Sequence, residues 1–253
     1  MTGLKIKNLN KTLYGVEIIK DVTASFLPGN ITALVGPNGA GKTTIFNLIC
    51  GYLVPDGGAV FYNHENITGL EPYKVARKGI GRLFQDVRIF DNMTLQENII
   101  TAWLPHSFES PLFPFVHPLR LKKVYKDAIE QANFWLEFVG LYEKKNHLAS
   151  ALSFGQQKLL AIARLLAKES KVLLLDEPAS GLSPVATKKV LGILEKIIAK
   201  DKHKIIVIVE HNMKLVTEMA DWVYFMNEGQ VAFFGRTDHV LGSRTVRELY
   251  LGF

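Results

Sequence analysis

The sequence predicts an α/β fold, in which a parallel β-sheet is preceded by antiparallel strands and interrupted by a long helical segment. Three compact apolar runs, at 31–35, 172–176 and 205–209, have the length and composition of strands buried on both faces of a sheet. Helical patterns follow them, as expected where helices join parallel strands. Residues 87–167 carry mainly helical patterns instead, which indicates an inserted helical part.

The antiparallel strands are predicted near the N-terminus. Two β-type runs, at 5–9 and 17–26, are separated by a Tyr-Gly pair, and a Pro-Gly-Asn turn follows the second run. Short runs joined by turn residues are typical of strands that pair with their neighbours in sequence. We therefore expect an antiparallel sheet at the entrance of the domain.

Two helices are predicted inside the inserted part, at 94–104 and 126–140, because apolar residues recur there at spacings of three and four. The stretch 102–120 holds four prolines among aromatic side chains. Proline has no backbone N–H to donate and interrupts a regular helix. We therefore expect an irregular loop over 102–120.

The composition is that of a folded chain able to bury a large core, with 253 residues of which 48% are hydrophobic. Its apolar runs are much shorter than the roughly 20 residues that span a bilayer, and the N-terminus lacks the apolar segment of a signal peptide, so a cytosolic location is expected. The one cysteine, Cys50, is expected to be a small buried hydrophobe. A net charge of +6 favours anionic partners such as nucleotides, nucleic acid or an acidic membrane face, without choosing among them.

The strongest functional motif is GPNGAGKT at 36–43, which fits the phosphate-binding pattern G-x-x-x-x-G-K-[ST]. A predicted strand precedes it and a helical run follows it, as the pattern requires. The glycines leave the backbone free to wrap around phosphates, Lys42 would reach the terminal phosphates, and Thr43 would offer its hydroxyl to Mg²⁺. The motif predicts a nucleoside triphosphate as ligand.

Polar residues follow three further strands. Asp176 and Glu177 end the run at 172–176, and successive strand residues point to opposite sides, so one carboxylate would face the metal and the other an attacking water. His211 follows the run at 205–209, at the sheet edge where α/β folds bind ligands, and Gln85 ends another β-type run. The alternatives are a solvated strand end for the carboxylates and a structural role for the histidine.

The segment LSFGQQK at 152–158 looks like the start of a helix. Ser153 and Gln156 have the spacing of a capping box, in which each side chain bonds the other residue's backbone N–H. A helix start also presents unpaired N–H groups that bind anions. Whether the segment is only a cap or a second anion site is left open by these residues alone.

These motifs, in this order, resemble those of the ATP-binding cassette (ABC) ATPase family over essentially the whole chain. GPNGAGKTT resembles the Walker A motif, Gln85 the Q-loop, LSFGQ the signature, VLLLDE the Walker B motif, SGLSP the D-loop and His211 the switch histidine. The resemblance implies a P-loop NTPase (RecA-like) core with an antiparallel β subdomain and an inserted α-helical subdomain. It implies one ABC ATPase domain over 1–253, with the core at 1–86 and 168–253 and the helical subdomain at 87–167.

The resemblance also implies ATP and Mg²⁺ as cofactors and assigns roles to residues. Glu177, His211 and Gln85 would be catalytic, and Thr43, Gln85 and Asp176 would hold the metal. Tyr14 would stack on adenine, although the same residue could instead pack on the core. The implied nucleotide-binding set is Tyr14, Gly36, Pro37, Asn38, Gly39, Ala40, Gly41, Lys42, Thr43 and Thr44.

In this family two ATPase domains dock head to tail, so the resemblance implies that the signature acts on the partner's ATP. The residues concerned are Ser153, Phe154, Gly155 and Gln156. Two positions depart from the family pattern, which usually has Gly where this chain has Phe154 and Asp where it has Ser183. Because Glu177 and His211 are both present, an active ATPase is expected rather than a regulatory subunit without turnover.

Within the family, the chain is most similar to the cytoplasmic ATPases of branched-chain amino-acid importers, on the stretches FWLEFVGL, LSFGQQKLLAIARLLA, LLLDEPASGLSP, VEHNMKLV and VRELYLG. Lipopolysaccharide-exporter and urea or short-amide importer ATPases are the alternatives. The implied partners are a second ABC ATPase subunit, identical or paralogous, transmembrane permeases and, indirectly, a solute-binding protein, with the chain peripheral on the cytoplasmic face of the membrane. Soluble ABC ATPases of DNA or ribosomes usually carry two cassettes or long coiled coils, and this chain has one cassette and no sustained heptads, so no nucleic-acid partner is expected.

Overall fold

A computed structural model of the chain describes residues 3–104, 118–243 and 246. Most of the expected irregular loop, residues 105–117, lies outside this described part. The ends of the stretch 102–120 are helical, because one helix includes residues up to Trp103 and the next begins at Pro118. A proline at the first position of a helix is tolerated, since its missing N–H would have no partner there.

The expected antiparallel sheet is present. Strands β1 (Leu4–Leu13) and β2 (Val16–Phe26) pair antiparallel, with Leu4 opposite Phe26. The other edge of β1 pairs with β4 (Gly57–Tyr62), which pairs in turn with the short β5 (Glu65–Asn66). The order in this sheet is β2-β1-β4-β5.

The expected parallel sheet is also present. It contains β3 (Ile31–Val35), β6 (Ile80–Leu83), β7 (Val172–Asp176), β8 (Ile205–Val209), β9 (Trp222–Asn227) and β10 (Gln230–Arg236), in the order β10-β9-β3-β8-β7-β6. The neighbours from β9 to β6 are parallel, and β10 adds an antiparallel edge. Every residue of β3, β7 and β8 is buried, as their uninterrupted apolar composition predicts. The carboxyl ends of the parallel strands therefore meet at one edge, where α/β folds place their ligands.

Eight α-helices lie within residues 3–104 and 118–243. They are α1 (Lys42–Ile49), α2 (Pro72–Arg77), α3 (Leu95–Trp103), α4 (Pro118–Phe138), α5 (Phe154–Ala167), α6 (Pro184–Lys200), α7 (Met213–Met219) and α8 (Thr237–Gly242). The helices predicted at 94–104 and 126–140 correspond to α3 and α4. Thr94 caps α3 in a capping box with Glu97. No helix within 3–104 or 118–243 is both long and apolar enough to cross a membrane.

The chain divides into two compact units. The first comprises residues 1–85, 171–180 and 194–253 and contains both sheets. The second comprises residues 86–170 and 181–193. In it α3, α4 and α5 pack together around small and branched side chains, among them Ile99, Ala132 and Leu160. The second unit thus extends beyond the segment 87–167, because residues 181–193 belong to it as well.

Cys50 is buried, as its apolar sequence context predicts, and it forms the C-terminal cap of α1. Burial raises the pKa of its thiol to about 11, although the nearby Arg82 opposes this shift. The thiol is therefore protonated at neutral pH, and the thiolate is the reactive form. We expect iodoacetamide at about pH 8 to alkylate the native protein about 100-fold more slowly than the denaturant-unfolded chain. Mass spectrometry over time measures both rates, and equal rates would contradict the burial of Cys50.

Candidate functional site

The phosphate-binding motif forms the loop between β3 and α1, as predicted. Gly36 has φ of 145°, and a Cβ on it would lie only 2.1 Å from the backbone oxygen of Met226 on β9. A side chain is therefore excluded at this position, because backbone cannot move aside cheaply. The loop passes close to the sheet and leads into the N-terminus of α1, where unpaired N–H groups favour an anion.

Lys42 is the first residue of α1, directly after this loop, and only 5% of its surface is exposed. Its Nζ donates to the backbone oxygens of Gly36 and Pro37, each at 2.8 Å. Burial lowers the pKa of Lys42, and the nearby carboxylates of Glu177 and Asp176 oppose that effect. The ammonium group is thus held at the loop by backbone carbonyls, within the electrostatic reach of both carboxylates.

A cleft of about 920 Å³ opens above the loop. The residues that line it are Leu13, Ile18, Pro37, Asn38, Gly39, Gly41, Lys42, Thr43, Thr44, Gln85, Glu177 and His211. The structure therefore gathers residues that the sequence placed in four separate motifs. The cleft is large enough for a nucleotide-sized ligand.

Tyr14 does not line the cleft, but its neighbour Leu13 does. Tyr14 occupies the turn between β1 and β2 with φ of 52°, and its side chain is fully exposed. The alternative interpretation, a strand aromatic packed on the core, is therefore wrong. An exposed ring beside the cleft is free to stack on a planar ligand.

Glu177, His211 and Gln85 form one polar cluster at the carboxyl ends of the strands. Oε1 of Glu177 lies 2.8 Å from Nε2 of His211, and Oε2 accepts from Nε2 of Gln85 at 3.3 Å. Glu177 comes directly after β7 and has φ of 49°, a left-handed conformation that is uncommon for residues other than glycine. Its backbone N–H donates to Val209 at 2.9 Å, which holds that conformation in place. Such strain is often found at functional sites.

Asp176 is buried and is not among the residues that line the cleft. It is 2% exposed, and burial raises its pKa, while a hydrogen bond from Arg82 opposes that shift. Oδ2 accepts from Arg82 at 2.9 Å, whereas Oδ1 is buried and accepts no hydrogen bond from a described residue. A buried oxygen without a donor is costly unless a group from outside the chain satisfies it. A hard cation fits, because Asp176, Thr43 and Gln85 all offer oxygen atoms, the ligands that Mg²⁺ prefers.

Three residues around this site were not found by sequence reasoning. Arg82 and Asn47 are hydrogen-bonded to each other at 2.6 Å, and Glu210, 3% exposed, accepts from the backbone N–H of Ala179 at 3.0 Å. For Arg82, the sequence feature that could have indicated a role is its position within the short strand Ile80–Leu83. A charged side chain that is buried from a sheet strand requires an opposite charge nearby.

The signature segment forms the start of α5. Ser153 is the N-cap, with its side chain accepting from the Gln156 N–H at 3.4 Å and its own N–H donating to Oε1 of Gln156 at 3.1 Å. The expected capping box is therefore present. A Cβ on Gly155 would lie 3.3 Å from Cβ of Ala186 and 3.4 Å from Cδ2 of Leu182. Glycine lets the first turn of α5 lie close to the segment that begins α6.

The two departures from the family pattern have local structural roles. The Phe154 ring, 45% exposed, lies against Gly181, and Nζ of Lys158 is 4.9 Å from the ring centre. Ser183 caps α6, because its Oγ accepts from the Ala186 N–H at 3.3 Å. Serine performs this capping as well as aspartate does.

Replacing Phe154 with Gly is expected to lower the free energy of unfolding by about 1 kcal/mol. The change removes the half-buried ring and places a weak helix former in the first turn of α5. Urea denaturation followed by circular dichroism measures the loss. Phe154→Leu is the control, and it should retain most of the stability. An unchanged midpoint together with faster ATP hydrolysis would show instead that the ring acts mainly as a restraint on turnover.

Comparison with known proteins places the chain in a well-populated group. The family described as "ABC transporter" matches residues 19–180. The branched-chain amino-acid transport ATP-binding protein BraF of Pseudomonas aeruginosa is 34% identical over 250 residues, covering 98% of this chain and 97% of its own length. The corresponding LivG protein of Escherichia coli K12 is 35% identical over 253 residues, with the same two coverages.

Solved structures give the same result. A nucleotide-free ATP-binding cassette from an ABC transporter superposes with a TM-score of 0.84 at 32% identity, covering all of both chains. A cassette in its ADP conformation also reaches 0.84, at 31% identity and full coverage of both chains. The resemblance that the motifs indicated is thereby confirmed, as is the expected fold class. The chain belongs to the ABC transporter family, and its fold is that of an ATP-binding cassette.

Proposed function

We propose that this chain is the ATP-hydrolysing subunit of an ABC importer, powering uptake of branched-chain amino acids or a related small solute through a membrane permease. The observation that carries the ATPase part is the cleft itself, in which Lys42, Glu177 and His211 surround one space. The substrate class rests on relatives 34–35% identical over nearly the whole chain whose names specify branched-chain amino-acid transport. The chain would act as one ABC ATPase domain, with the helical subdomain at 87–167.

In the proposed reaction the loop at 36–44 binds the phosphates of ATP. Backbone N–H groups at the N-terminus of α1 and the ammonium of Lys42 stabilise the phosphate charge. Tyr14 stacks on the adenine ring from its exposed position in the β1–β2 turn. Mg²⁺, held through Thr43, Gln85 and Asp176, would neutralise negative charge on the β- and γ-phosphate oxygens.

Glu177 accepts the proton of the attacking water in this proposal. Its Oε1 lies 2.8 Å from His211 and its Oε2 lies 3.3 Å from Gln85, so both neighbours orient the carboxylate. Glu177, which has a left-handed backbone, lines the cleft, whereas the adjacent Asp176 is buried and is not among the lining residues. Two adjacent carboxylates can thus serve two different functions.

The signature residues Ser153, Phe154, Gly155 and Gln156 would complete the ATP site of a second ATPase subunit. Their support is the N-terminus of α5, which carries roughly half a positive charge and has an exposed serine at its cap. The second subunit is identical or paralogous. The subunit pair, with the permeases and a solute-binding protein, would place this chain on the cytoplasmic face of the membrane.

The test is reconstitution of the chain in liposomes with its permease and solute-binding protein. We expect ATP-dependent uptake of leucine, and a Lys42→Ala chain should abolish uptake while still assembling with the permease. Uptake of urea or short amides without leucine transport would overturn the substrate class. Membrane association that does not depend on a permease would contradict the importer assignment.

A further inference from the structure

Arg82 on β6 is nearly buried, with 5% of its side chain exposed, and its guanidinium joins two elements of the proposed nucleotide site. Nη1 donates to Oδ1 of Asn47 on α1 at 2.6 Å. Nη2 donates to Oδ2 of Asp176, at the end of β7, at 2.9 Å. The helix that begins with Lys42 and the strand that ends with Asp176 are thus connected through one side chain.

The guanidinium is held in position by aromatic rings. It lies 4.6 Å from the centre of the Phe84 ring and 5.6 Å from that of Phe46. Arginine suits such a site because its planar fork stacks on rings while donating in two directions, which a lysine ammonium does not do. The position of the charge is therefore fixed from several sides.

The carboxylate of Asp176 is constrained asymmetrically. Arg82 engages Oδ2, while Oδ1 is buried and accepts no hydrogen bond from the described residues. An unsatisfied buried oxygen is costly, and Nε of Arg82 is likewise buried without a hydrogen-bond partner among the described residues. Oδ1 is the oxygen of this carboxylate that remains available to a ligand from outside the chain.

We propose that Arg82 is a positioning residue for the metal end of the nucleotide site, holding Asp176 by Oδ2 so that Oδ1 stays free for Mg²⁺ and, through Asn47, fixing α1 against β7. The proposal rests on the proposed ATPase function. It accounts for the presence of an arginine in the otherwise apolar strand β6. Groups behind metal ligands typically change metal affinity by about 10–100-fold when removed.

The experiment measures Mn²⁺ binding by electron paramagnetic resonance in the presence of a non-hydrolysable ATP analogue. Arg82→Lys keeps the charge but loses the fork, and Arg82→Met removes both. Each should raise the dissociation constant for Mn²⁺ by about tenfold or more. Affinity for the analogue in EDTA should stay within roughly threefold of wild type, because the loop and Lys42 bind phosphate without the metal.

Two further variants keep the test decisive. Arg164→Met removes another arginine, half-buried in the second unit, which donates to the backbone oxygen of Arg88, and it should leave Mn²⁺ affinity unchanged. Asn47→Ala removes one hydrogen bond while keeping the ion pair, and an increase of about threefold is expected even if the Arg82 variants fold poorly. An unchanged dissociation constant for Mn²⁺ in a folded Arg82→Lys variant would overturn the positioning role. Wild-type protein that bound neither the analogue nor Mn²⁺ would overturn the proposed function itself.

Discussion

Replacing Glu177 with Gln is expected to lower the rate of ATP hydrolysis by about 10²–10⁴-fold while leaving ATP binding nearly unchanged. An amide has the same shape as the carboxylate but cannot accept the proton of an attacking water. The contacts at 2.8 Å to His211 and 3.3 Å to Gln85 show that the side chain is already oriented, so the loss should appear in turnover rather than in binding. Phosphate release measures turnover, and a fluorescent ATP analogue measures binding.

The matched control is Glu228→Gln. Glu228 is an exposed glutamate that also has a left-handed backbone, with φ of 46°, in the turn between β9 and β10. The same substitution there should change neither hydrolysis nor binding. Substantial ATP hydrolysis by the Glu177→Gln variant would contradict the assignment of Glu177 as general base.

The Ser153→Arg variant should fail to dimerise with ATP while each monomer still binds ATP. Ser153 lies at the N-terminus of α5, where a phosphate of the partner's ATP would be bound, and an arginine there fills the space that the phosphate needs. Size-exclusion chromatography with light scattering, in a Glu177→Gln background that retains ATP, measures the dimer. We expect the dissociation constant of the dimer to rise at least tenfold, which corresponds to about 1.4 kcal/mol or more.

Loss of the helix cap is the competing explanation for such a result, since removing a serine cap costs about 1 kcal/mol. Ser153→Thr separates the two effects, because threonine keeps the capping hydroxyl and should still dimerise. An Asp at position 153 also caps the helix but brings a negative charge toward phosphate, so it should fail. Normal ATP-driven dimerisation of Ser153→Arg would show that the segment is only a cap.

Features encoded by neighbouring residues were predictable from the sequence. The phosphate-binding loop and the Ser153–Gln156 capping box each depend on spacings of a few residues, and the structure reproduces both. The buried strands β3, β7 and β8 were predictable because strands covered on both faces are apolar throughout. In each case the local sequence pattern favours the same conformation that the folded protein adopts.

Features that depend on distant pairing were not predictable. Arg82 and Asp176 are 94 positions apart, and the residues around either one do not indicate that the two side chains form an ion pair. Strand β1 also continues to Leu13, beyond the short run that its composition suggested. It does so because Asn8, with φ of 48°, allows an irregularity in the pairing with β2, and its side chain donates to Asp21 at 2.7 Å. Asparagine tolerates a left-handed backbone, but the presence of an asparagine does not by itself predict that conformation.

The burial of Cys50 makes this chain well suited to distance measurements. Because the chain has only this cysteine and its thiol is protonated and enclosed, a second cysteine placed on the surface would take a spin label or fluorophore almost exclusively. Val185, 80% exposed at the start of α6, is one such position. Two labelled copies would report their separation directly, with and without ATP, and no background cysteine would first have to be removed.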